Sequence, residues 1–111
     1  MPKTGGQLIA EILDRNQVKN VFCVPGESYL GALDALFDKK KSIKVINARH
    51  EAGAANMAES YGKITGKPGV ALVTRGPGAC HASVGVHIAH QDSTCLLYTS
   101  DAADEEDSVD L

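Results

Sequence analysis

V70-A-L-V-T-R-G-P-G-A-C-H-A-S-V-G-V-H-I-A-H90 joins two different periodicities through one turn. Val70–Thr74 is a continuous apolar run of strand length, too short for a helix of its own. Arg75-Gly76-Pro77-Gly78 breaks it, and from Ala79 to His90 the spacing of small and apolar residues predicts a helix. The same order recurs towards the N-terminus. Val21–Val24 reads as a buried strand stopped by Pro25-Gly26, followed by a helix from Ser28 to Asp38 with Leu30, Leu33, Leu36 and Phe37 on one side. Lys39–Lys41 stand at the end of that helix, where cations meet its dipole favourably. Next come a strand over Ile43–Asn47, a helix over Glu51–Thr65 and the turn Gly66–Gly69. Ahead of them all, Thr4 is placed to cap a helix reaching Gln17, with Leu8, Ile9, Ile12 and Leu13 at helical spacing. Strands alternating with helices of this length imply right-handed crossovers, hence an α/β fold with an open parallel sheet and flanking helices. Ligands of such sheets gather at the carboxyl ends of the strands. Three chemically conspicuous turns fall there: Pro25-Gly26-Glu27, Ala48-Arg49-His50-Glu51 and Arg75-Gly76-Pro77-Gly78.

The 111 residues have room for one small domain. A net charge of −3 gives no basic patch, so no nucleic-acid partner is expected. No apolar run approaches the ~20 residues of a membrane span, and the N-terminus lacks a signal-peptide core, so a cytoplasmic location is expected. Cys23, Cys80 and Cys95 show no paired spacing and read as reduced thiols. From Cys95 the character changes. Cys95–Glu105 resembles a translated sequencing-library transposon adapter, and Val109-Asp110-Leu111 fits a later part of the same adapter. Residues 95–111 are therefore expected to be a non-native tail on a domain, residues 1–94, that is incomplete at its C-terminus. Cys95–Thr99 is nevertheless apolar enough to take the place of a further strand.

Three segments carry a resemblance. V24-P-G-E-S-Y-L-G-A-L-D-A-L36, N47-A-R-H-E-A-G-A-A-N-M-A-E-S-Y-G62 and G69-V-A-L-V-T-R-G-P-G78 resemble, in order and spacing, the pyrimidine-binding domain of thiamine-diphosphate enzymes. Within that superfamily they are most similar to the acetolactate synthase and pyruvate oxidase group. The resemblance covers roughly residues 5–94 and implies a Rossmann-like pyrimidine domain of a 2-keto acid carboligase or decarboxylase, with pyruvate a representative substrate. It gives Glu51 the catalytic role: a glutamate that hydrogen-bonds the N1′ nitrogen of the cofactor's aminopyrimidine. Burial would favour such an acid by disfavouring its charge, and Ala52, Gly53, Ala54, Ala55 and Ala58 would let the helix close around it and exclude water. Taken alone, a glutamate in a first helical turn needs no more explanation than the helix dipole. The resemblance also places Pro25, Gly26, Pro77 and His81 against the cofactor. Many relatives carry Thr-Asn where this chain has Cys80-His81. Mg²⁺ and the diphosphate are expected on a separate C-terminal domain, FAD is compatible with the group, and sites are expected between subunits of a homodimer or homotetramer.

The rival reading is a non-catalytic Rossmann-type nucleotide-binding module using Gly76-Pro77-Gly78. Its fingerprint wants Gly or Ala where this chain has His81. A regulatory subunit keeping the fold without the chemistry is disfavoured by Glu51. Cys80, His87 and His90 share a helix face but lack a fourth ligand, so packing explains them and no metal is expected. Cys23 reads as a small core hydrophobe. His50 is placed to orient the turn beside Glu51, and the resemblance puts Gln91 and Asp92 near the substrate side.

Overall fold

The computed structural model describes residues 2–99. In chain order these form α1 (Gly5–Arg15), β1 (Asn20–Cys23), a 3-10 turn (Glu27–Tyr29) running into α2 (Leu30–Asp38), β2 (Lys44–Asn47), α3 (Glu51–Thr65), β3 (Gly69–Leu72), α4 (Pro77–Gln91) and β4 (Leu96–Thr99). The strands make one parallel sheet in the order β2-β1-β3-β4. The α/β open sheet expected from the alternation is thus observed. Of the tail, Leu96–Thr99 pairs with Gly69–Leu72 as a fourth strand, and residues 100–111 lie outside the described residues.

Local chemistry explains most boundaries. Thr4 Oγ1 accepts from the Gln7 amide at 3.1 Å while the Thr4 amide donates to Gln7 Oε1 at 2.9 Å, a reciprocal cap. The helix stops at Arg15 rather than Gln17. Asn16 caps it, its side-chain amide donating to Ile12 O at 2.8 Å, and Gln17 turns left-handed with φ 61°. Helix α2 begins at Leu30 rather than Ser28 because Tyr29 is pulled out of helical geometry (ψ 36°) and its hydroxyl is engaged elsewhere. Helix α4 starts two residues before Ala79, with Pro77 in its first turn, where a missing N–H costs nothing. Glu51–Thr65 matches the expected helix at both ends.

Strand alternation divides the core. Val21, Cys23, Val70 and Leu72 face α1 and α2, packing with Leu13, Leu36 and Ile43. Phe22 and Ala71 face the other way, onto Ala54 and Ala58 of α3, and Val73 meets Ala55 and Ala82 between α3 and α4. The α3–α4 contact is close because a methyl group at Gly85 would collide with the side chain and backbone of Ala55. An apolar groove stays open between α1 and β3–β4, lined by Ile9, Ile12, Leu13, Val70, Leu72 and Leu97.

Topology then selects a place for ligands. The connection from β1 steps to β2 on one side, whereas those from β2 and β3 step the opposite way across the sheet. A constant crossover hand therefore puts α2 on one face and α3 with α4 on the other. The direction of winding changes between β1 and β3. The crevice at their carboxyl ends is the switch point where open sheets bind ligands.

Candidate functional site

The turns after β1 and β3 meet at that crevice. A methyl group at Gly26 would clash with Thr74 Cγ2, and one at Gly78 would lie 2.5 Å from Thr74 Oγ1 and 3.5 Å from Glu51 Oε2. Pro25-Gly26, Glu51 and Pro77-Gly78 therefore border one floor, with Thr74 at its centre. A side chain at position 26 or 78 would have to displace the Thr74 side chain, onto which both turns are closed. Beneath it, Tyr29 ties the two strand ends together: its hydroxyl lies within hydrogen-bonding reach of Val24 O and, at 3.1 Å, of Leu72 O. Burial, with Cys23 and the charge of Glu51 adding to it, pushes the Tyr29 phenol well above its usual range. It therefore stays a neutral donor. Cys23, also raised by burial, donates to Asn47 Oδ1 at 3.3 Å. The hydroxyl of Ser28, in the turn after β1, is buried and has no hydrogen-bond partner among the described residues.

Above the floor lies a cluster from two helix starts. His50 caps α3, its Nδ1 accepting from the Ala52 amide at 3.0 Å, which leaves the proton of a neutral ring on Nε2. Glu51 opens the helix. His81, from the second turn of α4, approaches Glu51 Oε1 through Nδ1 at 3.1 Å, and its ring centroid is 4.6 Å from that of His50. The donor atoms of His50, Glu51 and His81 all lie within 4.8 Å of one another.

The structure corrects one expectation directly. Glu51 is not sealed by the alanine-rich helix: its side chain keeps 15% of its surface, and His81 keeps 52%. The small residues do close α3 against its neighbours, with Ala54, Ala55 and Ala58 buried, but they do so below the first turn. Glu51 itself projects past the strand ends. The acid that α3 does bury is Glu59, 5% exposed. It accepts from Thr94 Oγ1 at 3.0 Å and pairs with Lys63 at 3.1 Å, and Lys63 reaches Asp92 at 2.5 Å.

Asp92 and Gln91 consequently lie at the far end of the α3–α4 pair. Twelve residues of helix separate Glu51 from Lys63, roughly 18 Å at 1.5 Å per residue. They do not join the Glu51 cluster within this chain. Cys80, His87 and His90 are exposed, and among the described residues the metal-capable side chains that converge are His50, Glu51 and His81 instead. Sequence reading missed Tyr29 and Glu59. A hydroxyl-bearing ring at the foot of an apolar helix was a faint signal for the first. Glu59 carried a local signal in Lys63, four residues on along the same helix, but its burial and its contact with Thr94 appear only once the chain after α4 lies against α3.

Comparison with known proteins gives the family of the chain. Residues 3–109 match the family described as thiamine pyrophosphate enzyme, N-terminal TPP binding domain. The catabolic acetolactate synthase of Raoultella terrigena is 39% identical over 107 residues, covering 96% of this chain and 19% of that protein. The mitochondrial acetolactate synthase catalytic subunit of Saccharomyces cerevisiae is 46% identical over 94 residues, 85% of this chain and 14% of its own length. Acetolactate synthase of Bacillus subtilis is 44% identical over 88 residues, 79% and 15% respectively. The chain thus spans less than a fifth of the curated relatives it matches. No helix among the described residues is long and apolar enough to cross a membrane.

Proposed function

The chain belongs to the thiamine pyrophosphate enzymes through their N-terminal cofactor-binding domain, and we propose from that premise that it presents Glu51 to the aminopyrimidine of thiamine diphosphate. The parent enzyme would be a 2-keto acid carboligase or decarboxylase, with an acetolactate synthase acting on pyruvate the leading form. One observation carries the reading. The Glu51 carboxylate stands at the switch point of the sheet, beside the turn at Gly78, where Gly26 and Gly78 both close onto Thr74.

These residues fit the group. The ring nitrogen of the aminopyrimidine needs a carboxyl that can hold a proton against it. Glu51 supplies that carboxyl, while Gly26 and Gly78 let the two turns close on Thr74 beside it and Pro25 and Pro77 stiffen them. When bound, the cofactor supplies a carbon nucleophile for attack on the keto acid carbonyl. Glu51 holds or releases the proton at its carboxylate oxygen, and His81 shares that oxygen and limits where it points. The partly open shelf supports closure of the site by a second polypeptide surface, in a homodimer or homotetramer. Water exclusion around Glu51 then comes from assembly and not from α3. The diphosphate with its Mg²⁺, and FAD where present, would be held outside residues 1–94. Branched-chain amino acid biosynthesis in the cytoplasm is the accompanying role.

The nucleotide-binding alternative is weakened by charge. A diphosphate at the start of α4 would face the Glu51 carboxylate beside Gly78. Replacing Glu51 with Gln in the parent enzyme tests the main reading: activity should fall by orders of magnitude, and near-wild-type rates would remove the assignment. Residues 1–94 alone are expected to show no turnover. We also hold residues 95–111 to be adapter-derived. Codons in the underlying nucleotide read that depart from the adapter would sink that view.

A further inference from the structure

We propose that His50, Glu51 and His81 bind a transition-metal dication of the Zn²⁺ or Co²⁺ class in the cofactor-free protein, and that metal and aminopyrimidine exclude one another there. Two imidazoles and one carboxylate are the donor set that such ions favour while leaving positions open to water. His50 caps α3 and His81 holds the Glu51 oxygen, and the two rings stand with their centroids 4.6 Å apart beside that carboxylate. The dimensions suit a metal. Ligands 2.0–2.2 Å from a tetrahedral ion stand about 3.3 Å apart. His81 Nδ1 and Glu51 Oε1 already stand 3.1 Å apart, and all three donors lie within 4.8 Å. Closing on the ion therefore takes side-chain rotation and no backbone movement.

Two effects oppose binding. His50 must give up its cap bond to Ala52 if it ligates through Nδ1, and the starts of α3 and α4 both carry positive dipole ends. The Glu51 charge offsets the dipoles, and the freed Ala52 amide sits at a helix end open to water. Glu51 in the metal's coordination sphere is not free to reach a pyrimidine nitrogen. The exclusion half of the proposal rests on the cofactor reading above, whereas the metal half does not.

The test uses the parent protein stripped with a chelator and kept in Mg²⁺. Titration with Co²⁺ should give visible d–d absorption saturating at one equivalent, abolished by Zn²⁺. His81→Asn and Glu51→Gln should each weaken the affinity roughly tenfold or more, with circular dichroism and melting unchanged. His90→Asn, at the exposed far end of α4, should leave it intact. Thiamine diphosphate should bleach the band. Absence of the band, or a band lost in His90→Asn but kept in His81→Asn, overturns the metal site. A band that persists under thiamine diphosphate shown by calorimetry to be bound overturns the exclusion. If calorimetry shows no thiamine diphosphate binding to the protein in Mg²⁺ without Co²⁺ or Zn²⁺, the cofactor reading fails while a band sensitive to His81→Asn upholds the metal site.

Discussion

Glu51 and Glu59 lie two turns apart on α3, and they are treated differently by the same fold. Glu59 is the deeper, its side chain 7% exposed against 15% for Glu51. Yet Glu59 Oε2 is engaged by both Lys63 and Thr94, and through Lys63 it ties the end of α3 to Asp92, just past the end of α4. Glu51 has a histidine at 3.1 Å and, beside its other oxygen, the turn at Gly78. Burial alone would pick Glu59, not the acid proposed to meet the cofactor. A buried carboxylate that has found a lysine and a hydroxyl is a satisfied structural group. One that keeps 15% of its surface at the switch point, with an imidazole on one oxygen, is the acid proposed for chemistry.

Exchanging the two acids separately should break this contrast if it is false. In the parent enzyme, Glu51→Gln is expected to cost about 10²–10⁴ in rate with the melting temperature unchanged, while Glu59→Gln keeps activity within a few-fold. Equal losses from both would show that α3 works as one unit. The two close glycine contacts sharpen the same comparison. Gly78→Val should put a side chain into the floor between Thr74 and Glu51 and abolish detectable cofactor binding in calorimetry. Gly85→Val, against Ala55, should instead cost about 1–3 kcal/mol of stability by overpacking, read from denaturant unfolding. The smallest effect belongs to Lys63. Asp92 first, and Glu59 second, raise its pKa above the ordinary 10.5. Its stabilising contribution is then fully present below that value and is lost as pH rises through the higher folded one. Lys63→Met should melt below the wild type at neutral pH, with the gap closing in strongly alkaline buffer. Because Lys63 is half exposed, added salt should narrow the gap as well.

The period of the chain was enough to announce an α/β sheet, because helix and strand repeats are local properties of neighbouring residues. It also located all four helices and the three turns of the proposed site, two of them through glycine and proline. Helix α3 was legible to the residue, since His50-Glu51 starts it and Gly66, left-handed at φ 72°, ends it. Tertiary structure alone decided the strand order β2-β1-β3-β4, and with it the switch point between β1 and β3. It also set Tyr29 across the ends of β1 and β3, and brought His81 to Glu51 across thirty residues and Thr94 to Glu59 across thirty-five. The last two depend on how α4 lies against α3, a long-range contact made through Gly85 and Ala55 that no local repeat encodes.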